Sequence, residues 1–427
     1  MFFGAGNLIL PAFLGFLNSD NWMMVCFAFC LSAVVLPMMG IIAHGHTQGG
    51  ITEFARPISK KGSVLFSILI YIIAITLPAP RTAAVVHEIA IVPYISSPEW
   101  VTSLIFFSLI FLFTIRRSRL LNDIGKWLTP ILVVTLFAIV ISCVIAIHDT
   151  PMRYAAGIWE GQDNPFSIGL IEGFQTFDGI GALVVGAVVV RSLKLDKIKD
   201  YHTMRSTFHS SAFIAGSLLI FIYTLLMYTG AIQMGHLPAD YSRTDLLRGI
   251  AQFGLGEYGQ LFLAILVSVA CFTTAASIVT GTADFVSKYL NLKYGYELII
   301  FVSCLLGVLI GQFPVDTIIQ VAIPIIVFIY PVVITLIVLN FIAPHSKPEF
   351  GHLRYKASYR WTVGAAILFS LGDTLSAFGI SNEFTQWFEL LPLASWGIGW
   401  MLPTLMVGLI VRLYRVYTTD RKAIKNS

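Results

Sequence analysis

Two short runs hold the residues best placed to do chemistry: Gly4-Ala5-Gly6-Asn7 near the start of the chain, and Asp178-Gly179-Ile180-Gly181 in its sixth apolar stretch. Each sets glycine beside a polar side chain within an otherwise apolar segment. In hydrocarbon an unpaired peptide group costs several kcal/mol, so unwound backbone at that depth is tolerated only where it lines a protected polar cavity. A small solute or ion suits such a cavity, and paired helix interruptions are how membrane carriers build their sites. The first run also has a plainer reading as a close-packing surface of small residues. The adjacent Asn7 and the matching second run favour a binding site.

For a zwitterionic guest, the kind implied by the resemblance described below, each group would take a different part. Backbone N–H groups at Ala5, Gly6 and Asn7, with the positive end of the half-helix starting there, suit a carboxylate. Glycine at positions 4 and 6 lets a ligand come close to the backbone. Carbonyls released around Phe174, Gln175, Thr176 and Phe177 suit an ammonium. Phe174, Phe177 and Ile180 then either enclose an aliphatic side chain or serve as ordinary core packing in a chain that is 13% aromatic. Asp178 also has two readings. A mid-membrane carboxylate is costly and marks ion or proton paths, whereas Asp at the head of a half-helix is a good N-cap. Thr273 and Thr274 offer adjacent hydroxyl oxygens, hard ligands fit for Na⁺, although Thr in membrane helices commonly bonds its own backbone. Arg81, beside Pro80 and near His87 and Glu88, is expected to snorkel at the outer end of the third span, with gating of an outer vestibule as its second reading. Asp284 and Asp373 are expected to be buried and hydrogen-bonded.

The elements that must carry these residues are membrane helices. A composition of 57% hydrophobic and 12% charged residues, with a mean hydropathy of +0.82, cannot cover a water-exposed globule. Apolar segments near 1–17, 22–43, 62–79, 100–115, 127–148, 166–190, 208–234, 258–286, 297–313, 317–342, 361–380 and 394–415 predict about twelve spans in an all-α membrane protein. The loops test that count, because Lys and Arg collect on the cytoplasmic side. Of the 27 basic residues, 23 fall on one alternating set of loops, leaving Arg81, Arg153, Arg243 and Arg248 on the other. Both termini are therefore expected in the cytoplasm. No basic block is dense enough to indicate nucleic acid.

All five cysteines lie in apolar spans without CxxC spacing, which argues against a disulfide framework or zinc site. No cleavable signal peptide, long linker or soluble domain is apparent, so residues 1–427 read as one membrane domain. The opening is short. A helix crossing the bilayer needs about 20 residues, yet the chain begins almost directly on the glycine run, so the first helix is read as truncated or as starting upstream of Met1.

The residues then support a specific likeness. Phe2-Phe3-Gly4-Ala5-Gly6-Asn7-Leu8-Ile9, Ala79-Pro80-Arg81-Thr82-Ala83, Thr176-Phe177-Asp178, Ala270-Cys271-Phe272-Thr273-Thr274-Ala275 and Leu391-Pro392-Leu393-Ala394 with Trp400-Met401-Leu402-Pro403-Thr404 occur in order. Nearly full length, the chain resembles the bacterial BrnQ-type branched-chain amino acid:cation symporters (the LIVCS family) of the LeuT-fold group. The resemblance implies two inverted five-helix repeats, 1–148 and 166–342, with two peripheral helices at 361–415. It implies import of Leu, Ile or Val across the bacterial inner (plasma) membrane, with Na⁺ as the coupling ion and H⁺ as the alternative. It also implies a sodium site formed by Thr273, Thr274, the Phe3 carbonyl and a carbonyl three residues earlier, which lies outside the chain as numbered.

Two other classes share some of these features. An amino acid sensor of the same fold would use the same site residues without moving its ligand. An intramembrane aspartyl protease would need paired aspartates such as Asp178 and Asp373, but Ser370 stands where its Gly-x-Gly-Asp motif needs glycine, and no hydrolase or nucleotide fingerprint is present. The chain is therefore not expected to be an enzyme or to need an organic cofactor. The sequence leaves oligomeric state open.

Overall fold

The computed structural model describes residues 4–115, 120–148, 164–195, 200–238, 240–290, 294–342, 356–380 and 383–425. Among them the protein is helical, with one isolated bridge between Met234 and Leu237. This is the outcome that long apolar runs impose when every peptide group must be satisfied within its own segment.

The chain begins with α1 (Ala5–Leu17), then α2 (Trp22–Cys30) joined by a π-helical turn at Leu31–Val35 to α3 (Leu36–Thr47), and the short α4 (Ile51–Ala55). The third span is α5 (Lys60–Thr76) and α6 (Pro78–Val86), continued by a π-helical turn at His87–Ile91. Next come α7 (Glu99–Ile115), α8 (Leu120–His148), α9 (Pro165–Phe174), α10 (Asp178–Leu195) and α11 (Tyr201–Ile232). The remaining helices are α12 (Arg243–Leu290), α13 (Gly295–Ile310), α14 (Val315–Ile342), α15 (Lys356–Ala377), α16 (Glu383–Glu389) and α17 (Met401–Lys425). Each of the twelve expected spans coincides with helix.

Three boundaries differ from those expected. The sixth span does not unwind at its glycines: Asp178–Gly181 is already the first turn of α10, and the break is Gln175–Phe177. Glycine is tolerated there, but it is Phe177 that adopts the left-handed conformation, with φ 61°. The eighth span is preceded by a helical segment that meets it at a kink, where Gly256 has φ 61°. The last span starts at Met401, after a 3₁₀ turn at Ala394–Trp396.

Two compact units divide the chain, residues 1–35, 70–185 and 214–321 in one, and residues 36–69, 186–213 and 322–427 in the other. The first holds every described candidate site residue. Its core helix is α1, where Leu8, Ile9, Leu10, Ala12, Leu14 and Phe16 are all buried. A helix apolar and buried all round belongs in the interior of a bundle. It meets α11 backbone to backbone: a Cβ on Gly15 would overlap the Met227 carbonyl, and one on Gly230 would overlap that of Ala12. Large apolar side chains such as Phe213, Ile214, Met23 and Phe262 are exposed, as expected of surface bathed in lipid. In the second unit, Asn340 Nδ2 donates to the Phe54 carbonyl (3.1 Å) and Tyr359 donates to Asn340 Oδ1 (3.2 Å).

Candidate functional site

The site begins at two helix starts. Gly4 is extended (φ −122°) and precedes α1 without a side-chain cap, and the first turn contains no acidic residue. A turn-closing bond there runs from Asn7 N to the Gly4 carbonyl, at 3.2 Å. The amides of a first helical turn point out of the helix end, so this end keeps its positive character. Gly6 and Asn7 belong to that turn.

At the second discontinuity α9 tightens as it ends. Gln175 N, Thr176 N and Phe177 N reach the carbonyls of Glu172, Gly173 and Phe174 at 3.0, 3.4 and 3.1 Å. Phe177 is buried in its left-handed conformation, which costs a non-glycine residue about 1–3 kcal/mol and concentrates at functional sites. Thr176 stabilises the restart, since its Oγ1 donates to the Gly173 carbonyl (2.9 Å) and accepts from Asp178 N (3.3 Å).

Capping by Thr176 leaves the Asp178 carboxylate for longer-range work. Its Oδ2 accepts from Asn7 Nδ2 at 2.7 Å and from the Tyr223 hydroxyl at 3.4 Å, and Asn7 Nδ2 also donates to Tyr223 Oη. Asn7, Asp178 and Tyr223 are 2, 5 and 0% exposed. A buried charge requires such donors. The expectation that Asp178 caps its own helix is thus replaced by a bond to α1.

Arg81 is the largest departure from expectation. It does not snorkel; it is 4% exposed. Pro78 and Pro80 explain why: α5 stops at Thr76, the chain restarts with proline at the first position of α6, and Arg81 lies in the first turn beyond that bend. Its Nη1 donates to the Gln175 carbonyl at 2.9 Å, and its guanidinium lies 5.2 Å from the centre of the Phe177 ring. It also acts electrostatically on Asp178 and Glu172. A Cβ on Gly6 would overlap the guanidinium, so glycine there admits Arg81 to the start of α1.

This changes the set of acceptors. The carbonyls of Phe174, Gln175 and Phe177 already accept from Phe177 N, Arg81 and Gly181 N. The Gln175 Oε1 is buried and makes no hydrogen bond among the described residues. Around this point Phe177 and Ile180 are buried and Phe174 is half-buried.

The two threonines differ. Thr273 Oγ1 donates to the Ala270 carbonyl at 3.0 Å, the local helix bond. Thr274 Oγ1 is buried without a hydrogen bond among the described residues, and a Cβ on Gly4 would stand 3.2 Å from it. Phe3 lies outside the described residues. Those residues contain no cluster of three or more His, Cys, Asp or Glu able to hold a metal ion. The other intramembrane carboxylates, Asp284 and Asp373, are half-buried instead of fully buried; Asp284 has a partner, and Asp373 Oδ2 makes no hydrogen bond among the described residues.

A polar layer that the sequence did not mark lies at the starts of α12 and α14. Arg243 pairs with Asp316 (2.9 Å) and Glu172 (3.6 Å), and its guanidinium lies 5.1 Å from the Phe13 ring centre. Glu88 accepts from Thr244 Oγ1 (2.7 Å) and Val315 N (2.8 Å). Arg243 thereby touches α1, α9 and α14 at once.

Comparison with known proteins supplies the lineage. Among solved structures, the chain is similar to the nucleobase-cation-symport-1 family transporter Mhp1 with bromovinylhydantoin bound, at TM-score 0.57, 12% identity, and coverage of 97% of this chain and 93% of that one. It is also similar to a Na⁺-coupled sialic acid symporter, at TM-score 0.51, 12% identity, and coverage of 95% and 89%. These likenesses show the fold, that of LeuT-like transporters. Among sequences it is 31% identical to the branched-chain amino acid permease BrnQ of Corynebacterium glutamicum, covering 96% of this chain and 91% of that protein. It is 30% identical to the permease BraB of Bacillus subtilis (97% and 93%), and 28% identical to the branched-chain amino acid transport system 2 carrier protein of Pseudomonas aeruginosa (99% and 96%). Such relatives are carriers, not enzymes, which removes the protease reading. The family model described as branched-chain amino acid transport protein matches residues 1–417, and the chain belongs to that family.

Proposed function

We propose that this protein is a secondary carrier that imports leucine, isoleucine or valine across the bacterial plasma membrane together with a cation, Na⁺. The observation that carries the reading is the Asn7–Asp178 hydrogen bond, because it joins the two helix discontinuities at a common polar point. A zwitterion stripped of water there needs donors for its carboxylate and an anion for its ammonium. Gly4, Ala5, Gly6 and Asn7 supply the amide-rich helix start. Asp178, with Gln175, Thr176 and the ring-bearing Phe174 and Phe177, supplies the acceptor side and apolar wall. The repeats run from 1 to 148 and from 166 to 342, and the helices within 361–415 lie outside them. Loop charge supports cytoplasmic termini.

For the ion, Thr274 supports Na⁺: a buried hydroxyl oxygen without a hydrogen bond among the described residues, close to Gly4, is a hard ligand. Thr273 and the Phe3 carbonyl complete the proposed set. A proton is the second reading, resting on Asp178 as a buried carboxylate that accepts from Asn7 and Tyr223. The experiment is counterflow of labelled leucine in proteoliposomes under imposed Na⁺ or H⁺ gradients. Saturable uptake driven by Na⁺ supports the proposal, uptake driven only by H⁺ supports the second reading, and leucine binding without flux would make the protein a sensor.

A further inference from the structure

We propose that Arg81 is the side-chain anchor for the substrate's α-carboxylate, so that the third span reads the substrate together with α1. This rests on the amino acid carrier reading given above. The argument is one of charge and place. Arg81 sits 4% exposed at membrane depth, where a cation is retained for function. Its guanidinium meets α1 at Gly6, in the first turn of a helix that lacks an acidic residue and a side-chain cap. Two positive features thus converge on one spot, where the Asp178 and Glu172 carboxylates also act on the guanidinium.

Asp178 also accepts from Asn7 and Tyr223. Asp178 and Arg81 form opposite poles: one suits an ammonium, the other a carboxylate. The planar guanidinium fork fits a carboxylate with two parallel hydrogen bonds. Gln175 contributes at both poles, since its carbonyl orients Arg81 while its buried Oε1 offers an acceptor. Gly6 adds a geometric reason. A side chain there would displace the guanidinium, so the glycine opens the helix end to Arg81 as well as to the ligand.

The alternative role for Arg81 is a tether that holds the Gln175–Phe177 break in shape. The two roles separate by ligand chemistry. Leucinamide keeps the ammonium and isobutyl group but lacks the carboxylate. Competition of leucine and leucinamide against labelled leucine is measured for the full-length carrier in proteoliposomes, and for Arg81→Lys and Arg81→Gln after both are shown to be monodisperse. In the unmodified carrier leucine binds on the order of 30-fold or more tighter than leucinamide, the preference expected when one partner of a buried charge pair is missing. In Arg81→Gln that preference falls to within about threefold because leucine weakens and leucinamide does not; in Arg81→Lys it is intermediate. Equal weakening of both ligands, with the preference intact, would overturn the anchor role and leave a tether. No saturable leucine uptake by the unmodified carrier would instead defeat the underlying reading.

Discussion

Asn7 Nδ2 donates to Asp178 Oδ2 at 2.7 Å across 171 positions of sequence, fastening the first turn of α1 to the first turn of α10. Both side chains are buried, and Tyr223 from α11 touches both. Two helix starts that would otherwise leave amides and a carboxylate stranded in apolar surroundings meet at one point.

Breaking that triad has a readable signature. Asn7→Ala leaves a buried carboxylate short of a donor and is expected to cost about 1–3 kcal/mol, seen as a lower unfolding temperature and reduced leucine uptake. Tyr223→Phe should cost less, because its contact to Asp178 is longer, at 3.4 Å. The double variant should be non-additive, as expected of residues in one hydrogen-bond network. Strict additivity in thermal denaturation would show that the three side chains are not coupled.

The threonines make opposite predictions. Thr274→Val removes a buried hydroxyl that has no hydrogen bond among the described residues. It should raise the Na⁺ concentration for half-maximal uptake by about tenfold or more, the loss of about 1.4 kcal/mol of ligation. Thr273→Val, whose hydroxyl already bonds Ala270, should shift it less. Unchanged Na⁺ dependence in both would favour the proton reading.

Close packing of α1 against α11 is testable through glycine. Gly230→Ala drives a methyl into the Ala12 carbonyl, and Gly15→Ala does the same at Met227. Overpacking of this kind costs about 1–3 kcal/mol, so both variants should unfold at lower temperature. Gly364→Ala is the control, since its Cβ would meet open space. There helix propensity should stabilise by about 0.5–1 kcal/mol.

Arg243 predicts changes in both stability and accessibility. Its pair with Asp316 is exposed on the acid side, at 19%/47%, whereas that with Glu172 is mostly buried, at 19%/16%, so Arg243→Gln should cost about 1–3 kcal/mol, the penalty of leaving a buried carboxylate short of a donor. It should also quicken labelling of a cysteine placed at Phe13, because the guanidinium covers that ring. Unchanged labelling would show that Arg243 does not seal this side.

Much of this architecture was legible from residues. Apolar runs predict twelve helical spans, because membrane depth permits few other backbones. Gly4–Asn7 and Asp178 stand out in the sequence because glycine and a polar group are both costly there. The exact break was not legible: Asp178-Gly179 looks like unwound chain, yet the left-handed residue is Phe177, held by tertiary packing instead of by its own preference. Arg81 was visible but misplaced, since a lone arginine at a helix end normally reaches for water, and only the Pro78 restart turns it inward. Tyr223 gave no signal, being one of 16 tyrosines in an apolar sequence. The Arg243 layer pairs loop residues far apart in sequence, which spacing cannot reveal.

The claim beneath these predictions is that the two helix starts share one substrate. Equilibrium binding of labelled leucine to the purified carrier, Asp178→Asn and Asp316→Asn tests it directly. Saturable binding that Asp178→Asn weakens by on the order of 30-fold or more, with Asp316→Asn close to the unmodified protein, is the expected result. Leucine binding by Asp178→Asn equal to that of the unmodified protein would contradict the account.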